Sequence, residues 1–138
     1  MTKFCSGPIE EKIVEEARTW LGVRFKHQGR TRNGVDCVGL VLKVHEQLFG
    51  DEKEITGYER RPNQRMVYDL MGKHLIRIRP EEAQPGDVVL MAFDTGATHL
   101  GIISEKTIIH AYLQARKVVE QPLGSQRIVA YYRMKEVA

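Results

Sequence analysis

The feature that most constrains this chain is a change of hydrophobic period around Pro85-Gly86-Asp87. Before that turn signal, apolar residues recur at helical spacing; after it, they come in short β-branched and aromatic runs separated by turn residues. A chain that groups its helices first and its strands second is expected to be α+β rather than an alternating α/β sheet. Its 138 residues carry no internal repeat and no linker, so one domain over 1–138 is expected.

In the helical half, Ser6, Pro8, Glu10 and Glu11 suit the start of a first helix. Ile9, Ile13, Val14, Ala17, Trp20 and Leu21 give it an apolar face, and Gly22 suits its stop. Residues 23–35 hold Gly29, Asn33 and Gly34 without a period and read as a loop. A second helix is expected over 36–49, ended by Gly50, with apolar residues around so much of its circumference that it must be deeply buried. Residues 51–61 read as irregular, and a short helix over 63–71 follows. Strands are expected at 88–93, 99–104, 107–113, 117–120 and 127–133, joined by short turns as an antiparallel meander.

Composition removes several classes of function. The longest apolar run, Val88 to Phe93, is too short to cross a bilayer as a helix. Met1-Thr2-Lys3-Phe4-Cys5 lacks the apolar segment of an export signal, so none is expected. Two cysteines, Cys5 and Cys37, are too few for a disulfide scaffold. The net charge of +3 is mild and spread along the chain, unlike the basic stripe of a nucleic-acid binder. Its one concentration, Arg24, Lys26, Arg30 and Arg32, is either a solvated loop or an anion-attracting rim. Neither nucleic-acid binding nor membrane insertion is expected.

Three side chains could carry chemistry. Cys37 falls where a glycine-containing loop enters the buried helix. There, unpaired N–H groups and the helix dipole favour thiolate, and Gly39 would leave space for a group to approach the sulfur. The bland alternative is a small residue packing the helix. His99 and His110 lie on consecutive strands. If residues 105 and 106 form a two-residue loop, His99 faces Tyr112 and His110 faces Gly101, which brings both imidazoles to one face, roughly 5–8 Å apart at the backbone. A three-residue loop would separate them. One cysteine and two histidines fit nucleophilic catalysis, with one histidine taking the thiol proton and the other fixing its tautomer. The same trio could ligate zinc with one position open; Asp36 and the helix dipole are expected to suit a metal-free thiolate better. His27 could line a site, His45 reads as structural, and His74 and Cys5 receive no role.

Four blocks then resemble the NlpC/P60 cysteine peptidases, papain-like cell-wall hydrolases: Asp36-Cys37-Val38-Gly39-Leu40-Val41, Pro85-Gly86-Asp87-Val88-Val89-Leu90, His99-Leu100-Gly101-Ile102-Ile103 and Ile109-His110-Ala111-Tyr112. Lys26-His27-Gln28-Gly29 and the closing Arg127-Ile128-Val129-Ala130-Tyr131-Tyr132-Arg133 are similar to the phage-encoded branch of that family. The resemblance implies N-terminal helices packed on a mostly antiparallel sheet of five to six strands. It also implies Cys37 as nucleophile, His99 as general base and His110 as the polar residue orienting it, with no cofactor or metal. Substrate contacts are implied for Phe25, His27, Arg30, Asp36 and Val38, and a carboxylate-rich substrate would suit a rim of Arg24, Lys26, Arg30 and Arg32. Phe25 and Val38 stand where many members have tyrosine and serine, so two hydroxyls are missing. The implied reaction is thioester-mediated hydrolysis of an amide in peptidoglycan stem peptides, usually γ-D-glutamyl to diaminopimelate. For the phage branch, synthesis in the cytoplasm and incorporation into a tail among tail proteins are implied. The alternatives are a structural tail component with little catalysis and a related thiol amidase or acyltransferase.

Overall fold

A computed structural model describes residues 8–50, 64–93, 96–124 and 126–135. The expectations for Cys5, Ser6 and residues 51–61 lie outside the described residues. Helix α1 (Ile9–Arg18) starts after Pro8 at φ −57°, with Glu10 and Glu11 at its positive end. It stops before Trp20, and Gly22 at φ +87° turns the chain away. Part of the segment read as a loop is a small antiparallel hairpin, β1 (Arg30–Thr31) and β2 (Gly34–Val35). Strands of two residues are too short to show a period.

Helix α2 (Cys37–Phe49) has the expected limits, because both ends are set locally. Asp36 caps the first turn, and Gly50 at φ +78° accommodates the left-handed stop. Val38, Leu40, Val41 and Val44 are each at most 2% exposed, so the helix is buried as its composition requires. Helix α3 (Gln64–His74) runs three residues beyond the expected end and leads into a strand the periodicity did not reveal, β3 (Ile76–Ile78).

The remaining strands are β4 (Val88–Phe93), β5 (Gly96–Ile103), β6 (Thr107–Tyr112), β7 (Lys117–Pro122) and β8 (Ile128–Arg133). They form a six-stranded sheet in the order β3-β8-β4-β5-β6-β7, antiparallel throughout. The expected meander holds from β4 to β7 but not to its end. β8 does not pair with β7; it crosses back to lie between β4 and β3. Val88, Val89, Leu90 and Met91 are fully buried, so the backbone of β4 needs a partner on each side, and β8 is the second. Arg133 fastens the crossing, its Nε and Nη2 each 2.9 Å from an oxygen of buried Asp87.

All three helices of the described residues contribute to one core with Leu90, Leu100, Ile102, Ile109 and Ala111. Alternation along β5 and β6 turns the intervening residues to the opposite face. There Val89, Met91, Ile103 and Ile108 make a smaller apolar cluster. No helix among the described residues is long and apolar enough to cross a membrane.

Candidate active site

Cys37 opens α2, and its neighbour Asp36 organises the surroundings. The buried Asp36 carboxylate accepts the Gly39 N–H at 2.8 Å through Oδ1 and the Gln28 N–H at 2.7 Å through Oδ2. Arg30 Nη1 reaches Oδ1 at 3.2 Å. One side chain therefore caps the helix and draws residues 28–30 over its first turn. That loop carries a non-glycine residue in the left-handed region, Gln28 at φ +60°, whose N–H is held by Asp36. Gly39 is required by the close approach: a Cβ there would lie 2.3 Å from the Gly29 carbonyl oxygen and 2.9 Å from Arg30 Nη1. The space expected beside Gly39 is filled by this loop, not left for a reactant.

The two histidines meet as the shorter turn requires. Ile102 pairs with Ile109 and Ile103 with Ile108, while the Ser104 N–H donates to the Thr107 carbonyl at 2.8 Å. Residues 105 and 106 are thus the loop, and His99 and His110 share a face. Their rings meet edge to face with centroids 4.9 Å apart, and His99 Nε2 lies 2.6 Å from His110 Nδ1. Tyr112 stacks on His110 at 4.9 Å and lies 6.0 Å from His99. On the next strand, Gln121 Oε1 lies 2.7 Å from His110 Nε2. His99, His110 and Gln121 form a hydrogen-bonded diagonal across β5, β6 and β7. The backbone N–H of Leu100, the neighbour of His99, is near enough to the Cys37 sulfur to favour its thiolate.

The electrostatics correct one expectation from sequence. The N–H groups of Leu100, Val38 and Cys37 do favour thiolate, but burial and then the Asp36 carboxylate oppose it more strongly. The balance pushes the thiol up to about 12, although the residue keeps partial solvent contact. A carboxylate beside the sulfur resists a second negative charge, so Asp36 acts against the thiolate and not for it. Burial, followed by the neighbouring His110, lowers His99 to about 3. Burial also lowers His110, and its bond to Gln121 partly offsets this. The resting site is a neutral thiol beside a neutral imidazole pair.

The other expected residues scatter around this centre. Phe25 is half-buried against the core, with its N–H donating to the Arg116 carbonyl at 2.8 Å. Val38 is 2% exposed, an interior side chain rather than an open one. Half-buried His27 has Nε2 3.4 Å from Gln28 Nε2. The basic cluster divides: Arg30 is turned to Asp36, and Arg32 stacks 3.8 Å over Trp20 and donates to the Thr19 carbonyl at 2.9 Å. Arg24 and Lys26 are exposed. His45 donates from Nε2 to the Lys135 carbonyl at 2.7 Å, tying α2 to the chain beyond β8. The zinc alternative would aim both imidazoles and the sulfur at one point, whereas His99 Nε2 and His110 Nδ1 bond each other. Gln121 is the residue sequence reasoning missed. Its signal was the repeat of the eleven-residue spacing that separates His99 from His110.

Comparison with known proteins bears on the same segments. The sequence model of the NlpC/P60 family matches residues 22–135. The chain is 30% identical over 104 residues to murein DD-endopeptidase MepS/murein LD-carboxypeptidase of Escherichia coli (strain K12), covering 75% of this chain and 50% of that protein. It thus spans about half the length of that curated relative. Among solved structures, the NlpC/p60 domain of peptidoglycan hydrolase SagA superposes with a TM-score of 0.69 at 22% identity, over 91% of this chain and 98% of that one. RipD of Mycobacterium tuberculosis, described as a non-catalytic NlpC/p60 domain protein adapted to peptidoglycan binding, superposes with a TM-score of 0.62 at 14% identity, over 95% and 99%.

Proposed function

The chain belongs to the NlpC/P60 family, and from that premise we propose that it is a cysteine peptidase hydrolysing amide bonds of peptidoglycan stem peptides. Cys37 is the nucleophile, His99 the general base and His110 the residue that orients it. The observation that carries this reading is the junction of two elements. The Leu100 N–H favours the Cys37 thiolate, and the adjacent His99 is bonded to His110 at 2.6 Å.

A neutral thiol and a neutral imidazole define how the reaction proceeds. His99 takes the thiol proton as sulfur attacks the amide carbon, so charge separation arises during attack and is not stored beforehand. The carbonyl electron pair moves to oxygen, and the backbone N–H of Cys37 is the candidate donor to that oxyanion. The oxyanion collapses, the C–N bond breaks, and the departing amine takes the proton from His99. The acyl group remains as a thioester. Water then attacks it, giving its proton to His99, and the thiol and a carboxylic acid are released.

The bond we assign is γ-D-glutamyl to diaminopimelate, which rests on the resemblance of the signature blocks; the murein-acting relative supports peptidoglycan as the substrate class. Exposed Arg24 and Lys26 would attract its carboxylates, with Phe25, His27, Arg30, Asp36 and Val38 shaping the surroundings of the nucleophile. Phage tail association, and tail proteins as partners, rest on the branch resemblance at Lys26-His27-Gln28-Gly29 and residues 127–133. The deciding experiment incubates the chain with purified peptidoglycan and with L-alanyl-γ-D-glutamyl-diaminopimelate, and reads products by mass spectrometry. Release of the diaminopimelate amine by the native chain and none by Cys37→Ala is the expected result. Equal release by both would end the assignment.

A second reading, a wall-binding or tail component without turnover, is favoured by the high thiol pKa and the two missing hydroxyls. It expects retention on peptidoglycan without new amines.

A further inference from the structure

The diagonal of hydrogen bonds does not stop at His110. We propose that Gln121 is a positioning residue that fixes the proton order of the whole line, and through it the tautomer of His99. This rests on His99 acting as the general base.

The inference follows from donor counting. Gln121 Oε1 is an acceptor only, so at 2.7 Å the proton between it and His110 belongs to His110 Nε2. Neutral His110 then has no proton on Nδ1, which accepts at 2.6 Å from His99 Nε2–H. Neutral His99 in turn has no proton on Nδ1. That unprotonated nitrogen can take a proton, on the residue next to the Leu100 N–H that favours the Cys37 thiolate. Reverse the first bond and every proton moves one place. His99 Nδ1 then carries hydrogen, and the base is lost without any change in ring position. A histidine pair alone cannot choose between these orders, because each ring can donate or accept. The Gln121 carboxamide, turned with its oxygen to His110, makes the choice at the far end.

The fold supplies that acceptor by register. β6 and β7 pair with His110 opposite Val119 and Ile108 opposite Gln121, so Gln121 is the diagonal same-face neighbour of His110. His110 is in turn the diagonal neighbour of His99 across β5 and β6. Gln121 also lines a pocket of about 600 Å³ with Met91, His110, Tyr112, Pro122 and Leu123, so the outer end of the line opens to a cavity.

The test compares Gln121→Glu, which keeps an acceptor, with Gln121→Leu, which removes it. Nitrogen-15 NMR of imidazole-labelled full-length protein reads the tautomer of His99 without needing turnover. Native protein and Gln121→Glu are expected to hold His99 with its proton on Nε2, and Gln121→Leu to show the other tautomer or a mixture. On the stem tripeptide, Gln121→Leu is expected to lose roughly 10–100-fold in kcat with KM little changed, as for supporting residues one shell out from the chemistry. Gln121→Glu should restore much of that rate and move the acidic limb of the pH profile upward, because a carboxylate favours the imidazolium. A merely structural role would move stability in both variants and neither the tautomer nor the limb. Native His99 protonated on Nδ1, or a tautomer indifferent to Gln121→Leu, would overturn the proposal. If Gln121→Leu does not fold, the native tautomer and the limb shift in Gln121→Glu decide. The expected tautomers without native turnover would sink the peptidase reading and leave the proton order standing.

Discussion

A neutral resting thiol has a measurable consequence in alkylation by limiting iodoacetamide between pH 5 and 9. Cys37 is pushed up from 9.0 to about 12 by burial and by the Asp36 carboxylate. A gap of about 3 lowers the thiolate fraction near neutrality by roughly 1,000-fold. The more basic thiolate is intrinsically more reactive, with a Brønsted slope of about 0.4–0.5, which recovers roughly 15–30-fold. Cys37 should therefore react about 30–60-fold more slowly than a small reference thiol such as glutathione at pH 7, and its rate should keep rising with pH to the end of the range. Competition between the two thiols, read by peptide mass spectrometry, measures the ratio directly. Asp36→Asn retains an acceptor for the Gly39 N–H while removing the charge, so labelling should quicken yet stay below the reference, because burial is the larger cause. Labelling of native Cys37 at or above the reference rate at pH 6, on a plateau, would refute the reasoning and establish a preformed thiolate.

Acid should destabilise the fold. The buried His99 is lowered from 6.5 to about 3, so below the unfolded value the unfolded chain binds the proton and the folded one does not. Stability is full above about pH 6.5 and falls as pH drops toward 3, by about 2 kcal/mol between pH 7 and 5 from this group; denaturant melts that coincide at those two pH values would contradict it. His99→Ala should abolish hydrolysis of the stem tripeptide, whereas His110→Ala should leave a slow enzyme, since orientation is lost before the base itself; wild-type rates in both would dissolve the pairing. Turnover should survive EDTA unchanged, and inhibition that zinc reverses would restore the metal alternative. Gly39→Ala should cost about 1–3 kcal/mol or more by thermal melting, because its Cβ would press on backbone at Gly29 and not on a yielding side chain. A neutral outcome would show that the loop over α2 is loosely held.

What could be read from residues alone was what adjacent residues decide. Helix α2 was legible because its cap, its apolar circumference and its glycine stop all lie within the segment. The shared face of His99 and His110 was legible only as one of two outcomes, because a two-residue turn brings the rings together and a three-residue turn separates them, and the strand register made the choice. The return of β8 to β4 was not, since which strand covers a buried edge depends on partners far along the chain. The sign of the Cys37 shift divides along the same line. The helix start pulls the thiol down, as local reasoning says, but desolvation is imposed by everything packed around the sulfur, and it wins. The charge of Asp36 was visible beside Cys37 in sequence, and simple repulsion gives its direction. Gln121 needed both levels: its spacing is local, but its proton order has meaning only once three strands lie side by side. Sequence determined the longer elements and the side chains they carry. Tertiary structure decided which groups meet and in which protonation state, because burial and hydrogen-bond order belong to the assembled surroundings and not to any one segment.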